Sequence, residues 1–105
     1  MQQEKTKRLV VLGAGESGVG VLGKARNWDV FVSDVGTIAP KYKEEMEREG
    51  IAYEEGGHTA EKILNADMCV KSPGIPLSAP LVVQLQSRGI EVVSEIDFAG
   101  RYRTA

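Results

Sequence analysis

The sequence is poor in the residues that would tie it to an oxidising compartment or a protein-bound metal. It has one cysteine, Cys69, and one histidine, His58, in 105 residues. A single cysteine cannot close a disulfide within the chain, and a Cys-rich zinc site is excluded. Cys69 lies in the apolar run "DMCV", where a buried, inert thiol is expected. His58, in "EEGGHT", has no second histidine or cysteine beside it and reads as a loop histidine next to a helix start. No apolar run approaches the roughly 18 residues of a membrane span. A formal net charge of −2 gives no support to nucleic-acid binding. The short apolar run near the N-terminus ends in a glycine loop rather than a small-residue cleavage site, so it reads as a first strand and not a signal peptide. The expected setting is cytoplasmic and reducing, with neither a membrane nor a nucleic-acid partner.

What the sequence does contain is a regular alternation. "RLVVL" at 8–12 is a continuous, β-branched run ended by glycine, as in a strand buried on both faces. A helix is expected after Glu16, although Gly18, Gly20 and Gly23 disfavour one, so its backbone must lie close against a sheet. Strands follow at 29–33, 51–55, 67–71 and 91–94. The helices between them fall at 40–50, 59–64 and 78–89, and a last one begins at Glu95. Pro40 and Gly50 mark one helix, Thr59 is placed as a cap of the next, and Ser78 and Gly89 bracket the third. Trp28 and Tyr53 read as packing residues, and "KYKEEMERE" as a solvated helix face. Five strands joined by crossover-length segments predict a single α/β domain over 1–105, a Rossmann-like five-stranded parallel sheet with helices on both faces. The last helix runs into "RTA" without a cap, the expected appearance of one domain of a longer polypeptide.

Two loops carry the functional signal. "GAGESG" matches G-x-G-x-x-G after a strand and at a helix start. There Gly13 permits the tight turn, Gly15 lets a ligand approach the backbone, and Gly18 allows helix and strand to pack closely. Free N–H groups and the positive end of the helix dipole favour an anion, most often a phosphate. Glu16 sets a carboxylate at the mouth of that site, so it must point away or leave the phosphates to Ser17. Asp34 follows about 20 residues later, where an acidic side chain can hydrogen-bond a nucleotide's ribose or base. The second loop is "KSPGIP" at 71–76, in which Pro73 fixes one backbone angle and Gly74 allows a positive one. That turn lets Ser72 and the Gly74 backbone approach a ligand, which a NAD site has no special need for. From these residues alone, a UDP-type ligand and a NAD(P) or other dinucleotide both remain open.

Taken together, "VVLGAGESGVG", "VSD", "EEGGHTAEKILNADMCVKSPGIP" and "GIEVVSEIDFAGRY" resemble the N-terminal domain of the muramoyl-peptide (Mur) ligases, in their D-glutamate-adding branch. The resemblance runs from Lys7 to the end of the chain. It implies a domain that binds the UDP moiety of UDP-N-acetylmuramoyl-L-alanine for peptidoglycan synthesis. Gly15, Glu16, Ser17 and Gly18 would meet the diphosphate; Asp34, Val35 and Gly36 would sit by the uracil; and Ser72, Pro73 and Gly74 would close the other side. Where some family members carry a Thr-Arg pair after the aspartate, this chain has Val35 and Gly36, leaving the arginine's place empty or taken by Lys41 or Lys43. The resemblance also implies an ATP-dependent, magnesium-assisted amide-forming ligase whose ATP-binding and C-terminal domains lie elsewhere in the polypeptide. No P-loop ending in Gly-Lys-Ser/Thr is present, so this chain alone is expected to be inactive and to hold no cofactor of its own.

Overall fold

A computed structural model describes residues 6–13 and 18–101. Five strands, β1 (Arg8–Leu12), β2 (Asp29–Asp34), β3 (Ala52–Glu55), β4 (Met68–Lys71) and β5 (Glu91–Ser94), form one sheet. Five helices follow them in alternation: α1 (Gly18–Ala25), α2 (Pro40–Arg48), α3 (Ala60–Ile63), α4 (Pro80–Ser87) and α5 (Glu95–Gly100). All pairings are parallel, in the order β3-β2-β1-β4-β5. The chain therefore winds outward from β1 to β3 and then crosses back to β4 on β1's other side. That reversal makes the carboxyl edge between β1 and β4 the topological switch point, where open α/β sheets bind their ligands.

The three central strands β2, β1 and β4 are covered on both faces, and with side chains alternating between those faces their interiors are apolar. Leu9, Val11, Val30, Val32, Met68 and Val70 face one side, against α1, α2 and α5, with Met46 and Phe98 completing that layer. Val10, Leu12, Phe31 and Cys69 face the other, against Ile63 of α3 and Val82 and Leu85 of α4. Trp28 packs edge-on to Phe98 with ring centroids 6.2 Å apart, the packing role expected of it. At the amino edge, away from the switch point, Arg8 ties the sheet down. Its backbone N–H donates to Asp67 at 2.7 Å, and its guanidinium reaches Asp29 and the Lys62 carbonyl.

α1, α2 and α4 all stop in the same way, with a left-handed residue two positions after the last helical one: Asn27, Gly50 and Gly89. In each, the following N–H returns to a carbonyl five residues back: Trp28 to Gly23, Ile51 to Met46 and Ile90 to Leu85. This is the Schellman arrangement. Gly50 and Gly89 thus lie just beyond their helices, in the positions expected of caps. Asn27 does the same work, and its role escapes a search for terminal glycines.

The helix starts depart from expectation. α4 begins at Pro80 with Ala79 as its cap residue and no side-chain cap, so Ser78 lies one position outside. Pro80's fixed φ starts that helix without a capping hydroxyl. Thr59 does precede α3, but its hydroxyl donates to Glu54 at 2.6 Å instead of accepting from the helix. Only Ser94, among the described helix starts, accepts a capping bond, from Asp97 N–H at 3.0 Å.

Candidate functional site

Gly13 is where the two informative loops meet. Its N–H donates to the Ser33 carbonyl at 2.8 Å, and Ser72 N–H donates to the Leu12 carbonyl at 2.9 Å, so both loops leave the sheet already fastened to it. Gly13 has φ +93°, and a β-carbon added there would lie 2.7 Å from the Ser72 β-carbon. Glycine is required twice over, by the backbone and by the neighbouring loop. α1 then returns across the sheet so closely that a β-carbon on Gly23 would lie 2.7 Å from Leu9 Cδ2. This is the close approach expected of a glycine-rich helix.

Beside Gly13, "SPGI" folds into a turn in which Ile75 N–H donates to the Ser72 carbonyl at 3.0 Å. Pro73 occupies the position where its fixed φ suits the turn. The expectation of a left-handed Gly74 is corrected here, because Gly74 is not among the positive-φ glycines. A β-carbon at Gly74 would meet only Ser72 Oγ, at 4.0 Å. Neither the backbone nor internal packing demands glycine at 74.

On the β2 side, Asp34 ends the strand, where β3 still pairs with it through Glu55. Asp34 Oδ1 accepts from Gly36 N–H at 2.8 Å, turning the chain. Gly56 and Gly57 N–H groups then reach the Gly36 and Asp34 carbonyls, lacing the β2 and β3 loops together. Val35 is left 69% exposed at this rim, an apolar side chain with no cover of its own.

These pieces surround an open cleft of about 750 Å³ at the carboxyl edge, lined by Leu12, Gly13, Asp34, Val35, His58, Ser72, Gly74 and the chain from Ile75 into α4. Four residues named from the sequence, Asp34, Val35, Ser72 and Gly74, therefore converge on one space. Gly36 and Pro73 shape its walls through the turns they occupy. Gly18 opens α1; Gly15, Glu16 and Ser17 lie outside the described residues. The two lysines considered as substitutes for a base-holding arginine are engaged elsewhere. Lys43 pairs with Glu55, and Lys41 lies over the Tyr42 ring.

His58 is the loop histidine beside a helix start that the sequence suggests, and it also lines the cleft. Its Nδ1 lies 2.6 Å from Ser33 Oγ, and that hydroxyl is 2.8 Å from Glu54 Oε2. Partial burial works to raise the Glu54 pKa, but hydrogen bonds from the Thr59 side chain and backbone and from Ser33, with the Lys62 charge, hold it below its ordinary value. Cys69 is fully buried, and desolvation pushes its thiol up to about 12, which removes it from any nucleophilic role.

A parallel sheet with its switch point open, a glycine of positive φ directly after β1, and an acidic residue closing β2 together define a doubly wound α/β domain with a ligand-sized cleft at its carboxyl edge. Within that class, residues 7–94 match the family model described as "Mur ligase MurD-like, N-terminal domain", and the chain belongs to that family. It is 57% identical over 101 residues to the UDP-N-acetylmuramoylalanine–D-glutamate ligase of Bacteroides fragilis, which covers 94% of this chain and 23% of that protein. The enzyme of the same name from Porphyromonas gingivalis is 59% identical over 99 residues, covering 92% and 22%. The chain thus spans about a quarter of the length of the curated relatives it matches. Among solved structures, a murein peptide ligase from Psychrobacter arcticus superposes with a TM-score of 0.80 at 19% identity, over 91% of this chain and 20% of that one. A shikimate dehydrogenase from Aquifex aeolicus reaches 0.53 at 12% identity, over 90% and 44%. Both likenesses concern the fold alone.

Proposed function

We propose that this chain is the N-terminal, UDP-binding domain of an ATP-dependent D-glutamate-adding ligase of peptidoglycan synthesis. The observation that carries this reading is the meeting of the β1 and β4 loops at Gly13 and Ser72, which sets Ser72 and Gly74 on the wall of the cleft beside Asp34. The start of α1 receives the diphosphate, with Gly15, Glu16, Ser17 and Gly18 as the residues that meet it. Asp34, Val35 and Gly36 hold the uracil, and Ser72, Pro73 and Gly74 close the opposite wall. The muramoyl-alanine portion of the substrate extends toward the ATP-binding and C-terminal domains of the same cytoplasmic polypeptide.

In that reaction ATP phosphorylates the substrate carboxylate, and the amine of D-glutamate displaces phosphate to form the amide; magnesium offsets the phosphate charge. Among the described residues no group of three His, Cys, Asp or Glu side chains could hold a metal. In this reading ATP and magnesium are held by the other domains of the polypeptide, and this chain positions the substrate.

Calorimetric titration of the chain with UDP, ADP and NADH tests the reading. UDP is expected to bind selectively, at millimolar concentration or better. Selective binding of NADH would instead make this a dinucleotide module, half of a dehydrogenase or a regulatory domain.

A further inference from the structure

The hydrogen-bond chain behind the cleft fixes the state of its histidine. Ser33 is fully buried and has a single proton to give. Glu54 already accepts from Thr59 N–H at 2.8 Å and from its hydroxyl at 2.6 Å, and it has no proton of its own to offer Ser33. Were Ser33 to donate to His58, its oxygen would confront the Glu54 carboxylate at 2.8 Å with lone pair against lone pair. The Ser33 proton therefore points to Glu54, and the 2.6 Å contact with His58 requires the ring to donate from Nδ1. In the neutral imidazole that leaves Nε2 as an acceptor. Nδ1 is tied inward to a buried hydroxyl while the residue itself is exposed and lines the cleft, so the Nε2 edge is the one facing the ligand. Nε2 has no partner among the described residues.

We propose that His58 is a ligand-contacting residue whose Nε2 accepts a hydrogen bond from the uridine, with Ser33 and Glu54 as the positioning residues that set its tautomer. The inference rests on the UDP reading above. Uridine offers such a donor in its imide N–H and in its ribose hydroxyls; a diphosphate offers none. His58 thus reads the nucleoside, while the glycine turn after β1 reads the charge.

Two substitutions separate the ring's two nitrogens. His58→Asn keeps a polar atom near Nδ1 for Ser33 but removes Nε2, whereas His58→Gln reaches the Nε2 position. His58→Asn is expected to bind UDP roughly five- to tenfold more weakly, the worth of one hydrogen bond, with its melting temperature kept. His58→Gln recovers part of that loss. Repeating the comparison with 3-methyl-UDP, 2′-deoxy-UDP and 3′-deoxy-UDP identifies the donor as the group whose removal abolishes the effect of His58→Asn. Undiminished UDP binding by His58→Asn, or an equal loss for all these ligands, overturns the proposal.

His58 is the only histidine in the chain, so its ring ¹⁵N signals are unambiguous. In mildly alkaline buffer, where an imidazole is neutral, the spectrum is expected to show a protonated Nδ1 and a bare Nε2 that moves upfield on adding UDP. The opposite tautomer overturns the proposal on its own. UDP-induced shifts at Gly13, Asp34 and Ser72 with a silent His58 ring refute this inference but not the UDP reading; no shifts anywhere refute both.

Discussion

Gly13→Ala tests the junction on which the site depends. At φ +93° an alanine is strained by roughly 1–2 kcal/mol. Its β-carbon would also lie 2.7 Å from that of Ser72. Both atoms are fixed to backbone, so no rotamer relieves the overlap, and overpacking of this kind costs about 1–3 kcal/mol. The two together remove about 2–5 kcal/mol from a domain expected to hold about 5–15 kcal/mol. In scanning calorimetry the melting temperature should fall by about 8 °C or more. The surviving folded protein should bind UDP at least about tenfold more weakly, because Ser72 has been pushed off its wall. Gly74→Ala is the control: its β-carbon meets only Ser72 Oγ, at 4.0 Å, so stability should change by less than about 0.5 kcal/mol while UDP binding is lost. A Gly13→Ala protein that melts and binds like the parent would refute this account of the junction.

Gly23→Ala sets helix propensity against packing: a gain of about 1 kcal/mol is set against a β-carbon 2.7 Å from Leu9 Cδ2, for a net loss of up to about 2 kcal/mol in urea denaturation. A stabilised variant would mean that α1 is free to lift from the sheet. Asp34→Asn should weaken UDP binding by roughly 1–2 kcal/mol and leave weak ADP binding alone, and equal losses for both would remove its role at the base. Cys69 should resist thiol reagents in the native chain and react at the rate of unfolding, since burial holds its pKa at about 12; rapid native labelling would contradict its placement. The folded-state pKa of Glu54 is depressed, so its contribution to stability is complete above the ordinary value of 4.5 and is lost as pH falls through the lower folded value. Glu54→Gln should flatten the acid limb of the stability–pH curve, and an unchanged limb would place the acid sensitivity elsewhere.

The strands were legible because a parallel sheet covered on both faces turns buried positions into unbroken apolar runs, as in "RLVVL". Positions required by geometry were legible where only one residue type satisfies it, as at Gly50 beyond α2. Helix starts were less so: Thr59 has the chemistry of a cap, but Glu54, five residues earlier and on the strand before, competes for its hydroxyl. Ser78 was displaced as a cap because Pro80 starts α4 unaided. In the site, Asp34, Val35, Ser72 and Gly74 follow from two loops at one sheet edge. The place of the loop histidine His58 in the cleft was not legible, because its partners Ser33 and Glu54 are brought to it by β2–β3 pairing, across more than 20 residues of sequence from Ser33. The available signal was positional: "GGHT" follows β3 at the same carboxyl edge as the other loops.

The most direct test of the central claim is a crystal structure of this chain with UDP. The diphosphate is expected beside Gly13 and the start of α1, with the uridine between the Asp34–Gly36 turn, His58 and the Ser72–Gly74 wall. A nucleotide bound away from the carboxyl edge of β1 and β4, with this cleft left to solvent, would contradict it.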